Sequence, residues 1–147
     1  MKLTTNSRYG LRALVDLVAN YHGTPVALCA IAARQCISES YLEQAFATLR
    51  KAGFVRSARG AFGGYYPAVD PAKTTAATVV RVLEGSLRII DHGALQNDDP
   101  IKRSIRTLLW EPMDAAIVST LDITLDQLAR EYLRMRGDAQ NNKQAGL

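Results

Sequence analysis

Cysteine is scarce in this chain: Cys29 and Cys36, seven positions apart, are the two present among 147 residues. Two thiols cannot build the disulfide framework that holds small secreted domains together. An apolar leader is also missing, because Met1-Lys2 runs into the polar stretch Thr4-Thr5-Asn6-Ser7. No apolar run approaches the roughly 18 residues of a membrane span. A cytoplasmic protein with no membrane attachment is therefore expected. The motifs of common enzymes are lacking too: there is no phosphate-cradling glycine loop, no nucleophile elbow and no paired His/carboxylate motif. Gly60-Ala61-Phe62-Gly63-Gly64 is too short and too closely bound by strands to hold a nucleotide. No enzyme is expected.

What is present is an ordinary folding composition, 48% hydrophobic and 22% charged, which excludes the disordered and membrane classes. The length suits one domain with an appendage. The net charge of +4 is unevenly spread. Residues 1–73 carry nine Lys/Arg against four Asp/Glu, and residues 74–147 carry nine against ten. A basic first half points towards a polyanionic partner.

Helical spacing dominates the pattern. Leu11, Leu14, Val15 and Val18 fall at i, i+3, i+4 and i+7, with Arg8, Arg12 and Asp16 on other faces, so residues 5–21 read as an amphipathic helix. Gly23-Thr24-Pro25 ends it. After Val26-Ala27-Leu28, a brief helix at 30–35 is followed by a tight turn at Cys36-Ile37. Ser38 then offers an N-cap and Ser40-x-x-Glu43 a second capping option. Leu42, Ala45, Phe46 and Leu49 carry the buried stripe of this next helix until Gly53 closes it. Two helices joined this way are the helix-turn-helix pattern. Phe54-Val55-Arg56-Ser57 and Tyr65-Tyr66 read as strands flanking a glycine-rich tip, which makes a wing. A fourth helix at 78–84 stops at Gly85.

The fold expected is mostly α: a winged helix-turn-helix at 1–85 with a small β-hairpin wing, a linker at 86–100, dimerisation helices at 101–136 and a disordered tail at 137–147. Ile101, Ile105, Leu108, Leu109, Met113 and Ile117 keep helical spacing and form the expected dimer interface, with Trp110 adding a large ring. Pro112 should bend this long helix or start one within it. Thr124-x-x-Gln127 reads as the capping box of a last helix.

In such a motif the N-terminal side chains of the second helix meet base edges in the major groove. Here they are Ser38, Glu39, Ser40, Tyr41, Glu43, Gln44 and Thr48. Gln can pair with adenine, and Glu can accept from cytosine. Arg59 beside Gly60 suits a narrow, electronegative minor groove. Arg8, Arg12, Arg50, Lys51 and Arg56 are candidates for phosphate contacts. Double-stranded DNA is the expected partner, bound by a homodimer.

Several stretches together resemble one family. They are Met1-Lys2-Leu3-Thr4-Thr5, Arg8-Tyr9-Gly10-Leu11-Arg12-Ala13-Leu14, Ile37-Ser38-Glu39-Ser40-Tyr41-Leu42-Glu43-Gln44, Leu49-Arg50-Lys51-Ala52-Gly53-Phe54-Val55, Arg59-Gly60-Ala61-Phe62-Gly63-Gly64-Tyr65 and Arg81-Val82-Leu83-Glu84-Gly85. In order and spacing they are similar to the Rrf-two family of bacterial repressors. The resemblance implies a winged-helix dimer on a pseudo-palindromic operator. It also implies base contacts at Ser40, Glu43 and Gln44 and a minor-groove contact at Arg59. Two departures stand out: Phe62 occupies a wing position usually filled by Lys, and Tyr66-Pro67 replaces the usual basic or aliphatic pair. Members that bind an iron-sulfur cluster place three cysteines before the long dimer helix, whereas Ser86 to Pro100 has none here. No cluster and no other cofactor is expected. The likeness is nearer to cluster-free members controlled by a protein partner of cysteine synthesis, which leaves room for a protein partner or a small-molecule effector.

Two rival readings stay open. One is a regulator that senses redox state or a metal through its own residues: Cys29 and Cys36, with or without His22, or His92 with Asp91 and Asp98. Buried inert cysteines and a solvated loop are the plainer readings of these groups, and no metal-ligand spacing is recognisable. The other rival is an interaction module that keeps the fold but controls a metabolic enzyme by gripping it.

Overall fold

The computed structural model describes residues 2–90 and 99–146. Helix α1, Thr5–Asn20, starts at Thr4, whose hydroxyl accepts the Ser7 amide at 3.3 Å. It is the central post of the domain, with α2, α3, α4 and α7 all packed on it. The expected stripe Leu11, Leu14, Val15 and Val18 is displaced. The most deeply buried face runs through Gly10, Ala13, Leu14 and Leu17, while Leu11, Val15 and Val18 are half-buried. Small residues at 10 and 13 let α3 and α4 come close; a Cβ on Gly10 would stand 2.8 Å from a Leu83 methyl and 3.2 Å from the Ala45 Cβ.

Helix α2, Leu28–Gln35, ends at Cys36 in the left-handed region (φ 53), with the Ile37 amide donating back to the Ala32 carbonyl at 3.1 Å. This turn drops buried Ile37 into the core and starts α3, Glu39–Lys51, at Ser38. Leu42, Ala45, Phe46 and Leu49 are buried on α3 as their spacing predicts. Full burial of each large apolar side chain contributes about 1.5–3 kcal/mol. The expected side-chain cap is not made: the Ser38 hydroxyl pairs with that of Ser40 at 2.8 Å instead.

Strands β1, Val55–Ala58, and β2, Gly64–Pro67, pair antiparallel with Ser57 opposite Tyr65. Val26 adds a third backbone to this fringe through two 2.8 Å hydrogen bonds with Tyr65. Gly64 is required there, because a Cβ would lie 2.3 Å from the Val26 carbonyl oxygen. The Phe46 and Tyr65 rings meet edge to face at 4.9 Å, which braces the wing against α3.

Helix α4, Ala76–Glu84, is capped by Thr75 and closed by Gly85. The residues after it are not all linker: Leu87 is buried against Ala77 and Val80, and the Ile89 amide donates to Asp114 at 2.8 Å. Residues 91–98 of the expected linker, including the Asp91, His92 and Asp98 grouping, lie outside the described residues.

Helix α5, Pro100–Ile105, passes through a π turn at Arg106–Trp110 into α6, Glu111–Thr120, with helical backbone at both junctions. Pro112, in the first turn of α6, has no amide to donate, and the wider turn just before it accommodates that loss. No residue from 100 to 120 is buried.

Helix α7, Leu125–Ala145, opens on a complete Thr124/Gln127 capping box. Two expectations are corrected here. Residues 137–145 of the expected disordered tail are helical, for α7 continues through Ala145, helped by Arg134 bridging Glu131 at 2.6 Å and Asp138 at 2.8 Å. Likewise, 101–136 is not one continuous block within the chain. The chain reverses at residues 121–125, whose backbone hydrogen-bonds the start of α4, and α7 then docks on its own chain's α1 with Leu125 and Ala129 buried.

Candidate nucleic-acid interface

Two elements project from the common core: the outer face of α3 and the tip of the wing. On α3 the buried stripe turns Ser38, Glu39, Ser40, Tyr41, Glu43 and Gln44 outward, and all six are exposed. Thr48 is less available, being half-buried with its hydroxyl donating to the Gln44 carbonyl at 3.3 Å. Tyr41 is only half free as well. Its ring packs edge to face on Tyr9 of α1 at 6.1 Å, and the Arg12 guanidinium lies 5.6 Å over that Tyr9 ring.

The cations divide in the same way. Arg12 is exposed and donates through one nitrogen to the Gln35 carbonyl at 2.7 Å, which ties α1 to the end of α2. Arg50, Lys51, Arg56 and Arg59 are exposed, with no ion pair among the described residues. Arg8 is exposed on α1, donating to Thr5 at 3.4 Å. Between Phe54 and Val69 the chain has no acidic residue, so the wing presents only positive charge. On α3 the carboxylates Glu39 and Glu43 sit near the start and the cations Arg50 and Lys51 at the end. Carboxylates fit a groove where they can accept from bases and fit poorly against phosphate, so α3 can enter by its first turns with its last turn at the backbone.

Sequence reasoning missed what holds the turn between α2 and α3. Asp16 is not on an outer face of α1 but fully buried. Arg34 pairs with it through Nη2 at 2.6 Å and Nε at 3.1 Å, Gln35 donates at 2.7 Å, and Asn20 at 3.3 Å. The Asp16 carboxylate, accepting from Arg34, raises the guanidinium pKa against the opposing effect of burial. All these donors come from α1 and the last turn of α2, so the acid fixes where α2 ends and α3 begins. The signal available was a lone Asp inside the apolar pattern of α1 with an Arg-Gln pair at the helix end. A second tie joins the N-terminus to α4: the Thr4 amide and hydroxyl donate to Glu84 at 2.6 and 2.9 Å.

Among the described residues the two thiols do not come together as cluster or metal ligands. Cys29 and Cys36 are both exposed, on α2 and at its end. Seven residues of helix separate them by roughly 10 Å along the axis, beyond disulfide reach. Among the described residues no three His, Cys, Asp or Glu side chains are grouped to hold an ion. A broad groove of about 1020 Å³ between α4, Leu87 and α6 carries Arg81, Arg88 and Arg106 with Glu111, Asp114 and Asp122. No helix among the described residues is long and apolar enough to cross a membrane.

Known proteins agree with this geometry. Residues 3–131 match the Rrf2 model, described as an iron-dependent transcriptional regulator. The transcriptional regulator CymR of Bacillus subtilis is 39% identical over 130 residues, 88% of this chain and 90% of that protein. The regulator IscR of Vibrio atlanticus is 36% identical over 132 residues, 89% of this chain and 76% of that protein. The solved structure of B. subtilis CymR, titled the global cysteine regulator, superposes with a TM-score of 0.76 at 38% identity, covering 89% of this chain and 98% of that one. Winged helix, recognition helix and wing are thus shared along nearly the whole chain, and this protein is a DNA-binding transcriptional regulator of the Rrf2 family.

Proposed function

We propose that the protein represses transcription as a cytoplasmic homodimer on a pseudo-palindromic operator. The observation that carries this reading is the pairing of a base-reading face with an uncovered apolar rod in one chain. Ser40, Glu43 and Gln44 of α3 read the major groove, with Ser38, Glu39 and Tyr41 at its margin. Arg59, next to Gly60, enters the minor groove, and Arg8, Arg50, Lys51 and Arg56 meet phosphates. Thr48, its hydroxyl bonded back to the Gln44 carbonyl within α3, borders this face.

The dimer follows from α5 and α6. Ile101, Ile105, Leu108, Leu109 and Met113 are exposed, Ile101 by 67% and Leu108 by 78%, and Ile117 is half-buried. An apolar row of this length in water calls for cover, and a second copy offers the same row. Two recognition helices would then meet half-sites one turn, about 34 Å, apart. The poor fit of the two cysteines to a cluster supports a regulator that works without resident iron; protein purified without oxygen should be colourless, and stoichiometric iron and sulfide would overturn that part of the reading.

Titration of a selected duplex against salt tests the whole. If four cations per protomer reach phosphates, log K should fall with log salt at a slope of about −7. Equal affinity for all duplex sequences, or sedimentation as a monomer at micromolar concentration with full affinity for one half-site, would refute it.

A further inference from the structure

Phe62 is 95% exposed, the most exposed large apolar side chain among the described residues, and nothing in its own chain covers it. The Gly63 amide donates to the Gly60 carbonyl at 3.0 Å and closes a turn with Ala61 and Phe62 at its two corners. Gly60 has φ +108, and a Cβ on Gly63 would lie 2.4 Å from the Ala58 carbonyl oxygen and 2.9 Å from that of Gly60, so only glycine permits this tip. The base of the hairpin is braced in turn by the Tyr65 contacts with Val26 and Phe46. A narrow tip closed by this turn therefore carries an aromatic ring forward beside the Arg59 cation.

The surroundings of the ring say what it meets. A protein-docking hot spot is an aromatic anchor embedded in well-packed contacts. Phe62 instead has Ala61, Gly60, Gly63 and Gly64 as its neighbours in the loop, so the ring stands alone on a thin edge. All formal charge between residues 54 and 69 is positive. An isolated apolar ring on a slim cationic hairpin matches the minor groove, which is about 6 Å wide and electronegative where it narrows. Apolar side chains delivered there act as wedges: they part a base step and bend the duplex.

We infer that Phe62 is such a wedge, inserted from the minor-groove side next to the Arg59 contact and partly unstacking one base step in each half-site. This rests on the operator-binding reading above and adds to it a bent DNA. Flexible pyrimidine–purine steps are the easiest to part, so the position under the wing would be selected by its stacking, with no hydrogen bond to its bases. Phe62 is then a specificity-determining residue that reads deformability.

The test uses the full-length chain and a duplex selected by it from random-sequence DNA. 2-Aminopurine replaces each adenine of the flanks in turn, and a second duplex carries donor and acceptor dyes at its ends. The expected result is a several-fold rise in 2-aminopurine emission at one step per half-site, with a bend of about 20–90°. Phe62→Ala should abolish the emission rise, reduce the bend and weaken binding about tenfold, as loss of a base-aromatic contact does. Phe62→Lys should recover affinity at low salt and steepen the salt slope by about one per wing, yet leave emission flat. Because the side chain is 95% exposed, neither variant should alter unfolding. Wild-type binding without any emission change, or an unchanged bend and emission with Phe62→Ala, would overturn the wedge alone. Failure of the wild type to bind any selected duplex would remove the DNA reading beneath it.

Discussion

Asp16→Asn is the substitution that should most disturb the domain without touching DNA. The carboxylate is fully buried and accepts from Arg34, Gln35 and Asn20. Hydrogen bonds to charged groups contribute about 1.5–3 kcal/mol each, but Arg34 is 29% exposed and regains water when its partner is lost. Breaking a buried pair from one side costs about 3–5 kcal/mol, and solvent access to Arg34 places this case near the lower end, about 3 kcal/mol. For a chain of this size that is a fall of about 6–12 °C in melting temperature, measured at fixed protein concentration because a dimer's unfolding depends on it. Arg34→Met should cost at least as much, since it strands the acid. The double variant Asp16→Leu with Arg34→Met should recover most of the loss, because an apolar pair asks for no compensation. Urea unfolding of wild type, Asp16→Leu, Arg34→Met and the double variant closes the cycle and gives the coupling directly. Single losses below about 0.5 kcal/mol, or additivity within that margin, would refute the argument that this pair anchors the end of α2.

Other expectations follow from the same geometry. Gln44→Ala should cost about 1–3 kcal/mol at one base position, read by competition between single-base operator variants; equal loss on every sequence would reduce Gln44 to positioning. Arg59→Ala should weaken operator binding and relax preference where the minor groove narrows, and an unchanged preference profile would exclude the contact. Ile105→Glu or Leu109→Glu should give a monomer in sedimentation with weak, poorly specific binding; a dimer persisting in both variants would place the interface elsewhere. The Glu84 pKa lies below the ordinary 4.5, because hydrogen bonds from Ser7 and Thr4 outweigh the upward push of burial. Its contribution is therefore complete above that value and fades as pH falls through the lowered one. Acid titration of unfolding should show wild type losing its advantage over Glu84→Gln below about pH 4.5; a gap that is constant down to pH 3 would rule this out.

Much of the framework that carries the candidate site was legible because it is made of local chemistry. The stripe Leu42, Ala45, Phe46, Leu49, the turn at Cys36-Ile37, the glycine-rich wing and the Thr124/Gln127 box each declare themselves within a few residues. What was not legible depends on partners far along the chain. The Leu11, Val15 and Val18 face lies half-buried because α7 comes back from residue 125 to share α1, and no periodicity in α1 could announce that. Asp16 looked like a solvent residue until Arg34 and Gln35, 18 and 19 positions away, were found on it. Arg12 also reaches a carbonyl on α2, 23 positions away, and Leu87 converts part of a supposed linker into core. The helix through residue 145 was hidden by its polarity, since it is supported by ion pairs along its surface more than by a buried stripe.

Among the described residues, the long helix of residues 100–120 is tied to the winged domain by Ile89 on Asp114 and by residues 121–125 on the start of α4. It is a strut, and a strut transmits angles. In the proposed dimer the two recognition helices would keep a set rotation about the duplex axis, so the operator must supply its half-sites in phase. One inserted base pair turns a half-site by about 34–36°, given 10–10.5 base pairs per turn. A protein with a flexible tether could follow that rotation. This one would have to bend its strut or release a half-site, and an operator with one added central base pair should be read as two unrelated single sites.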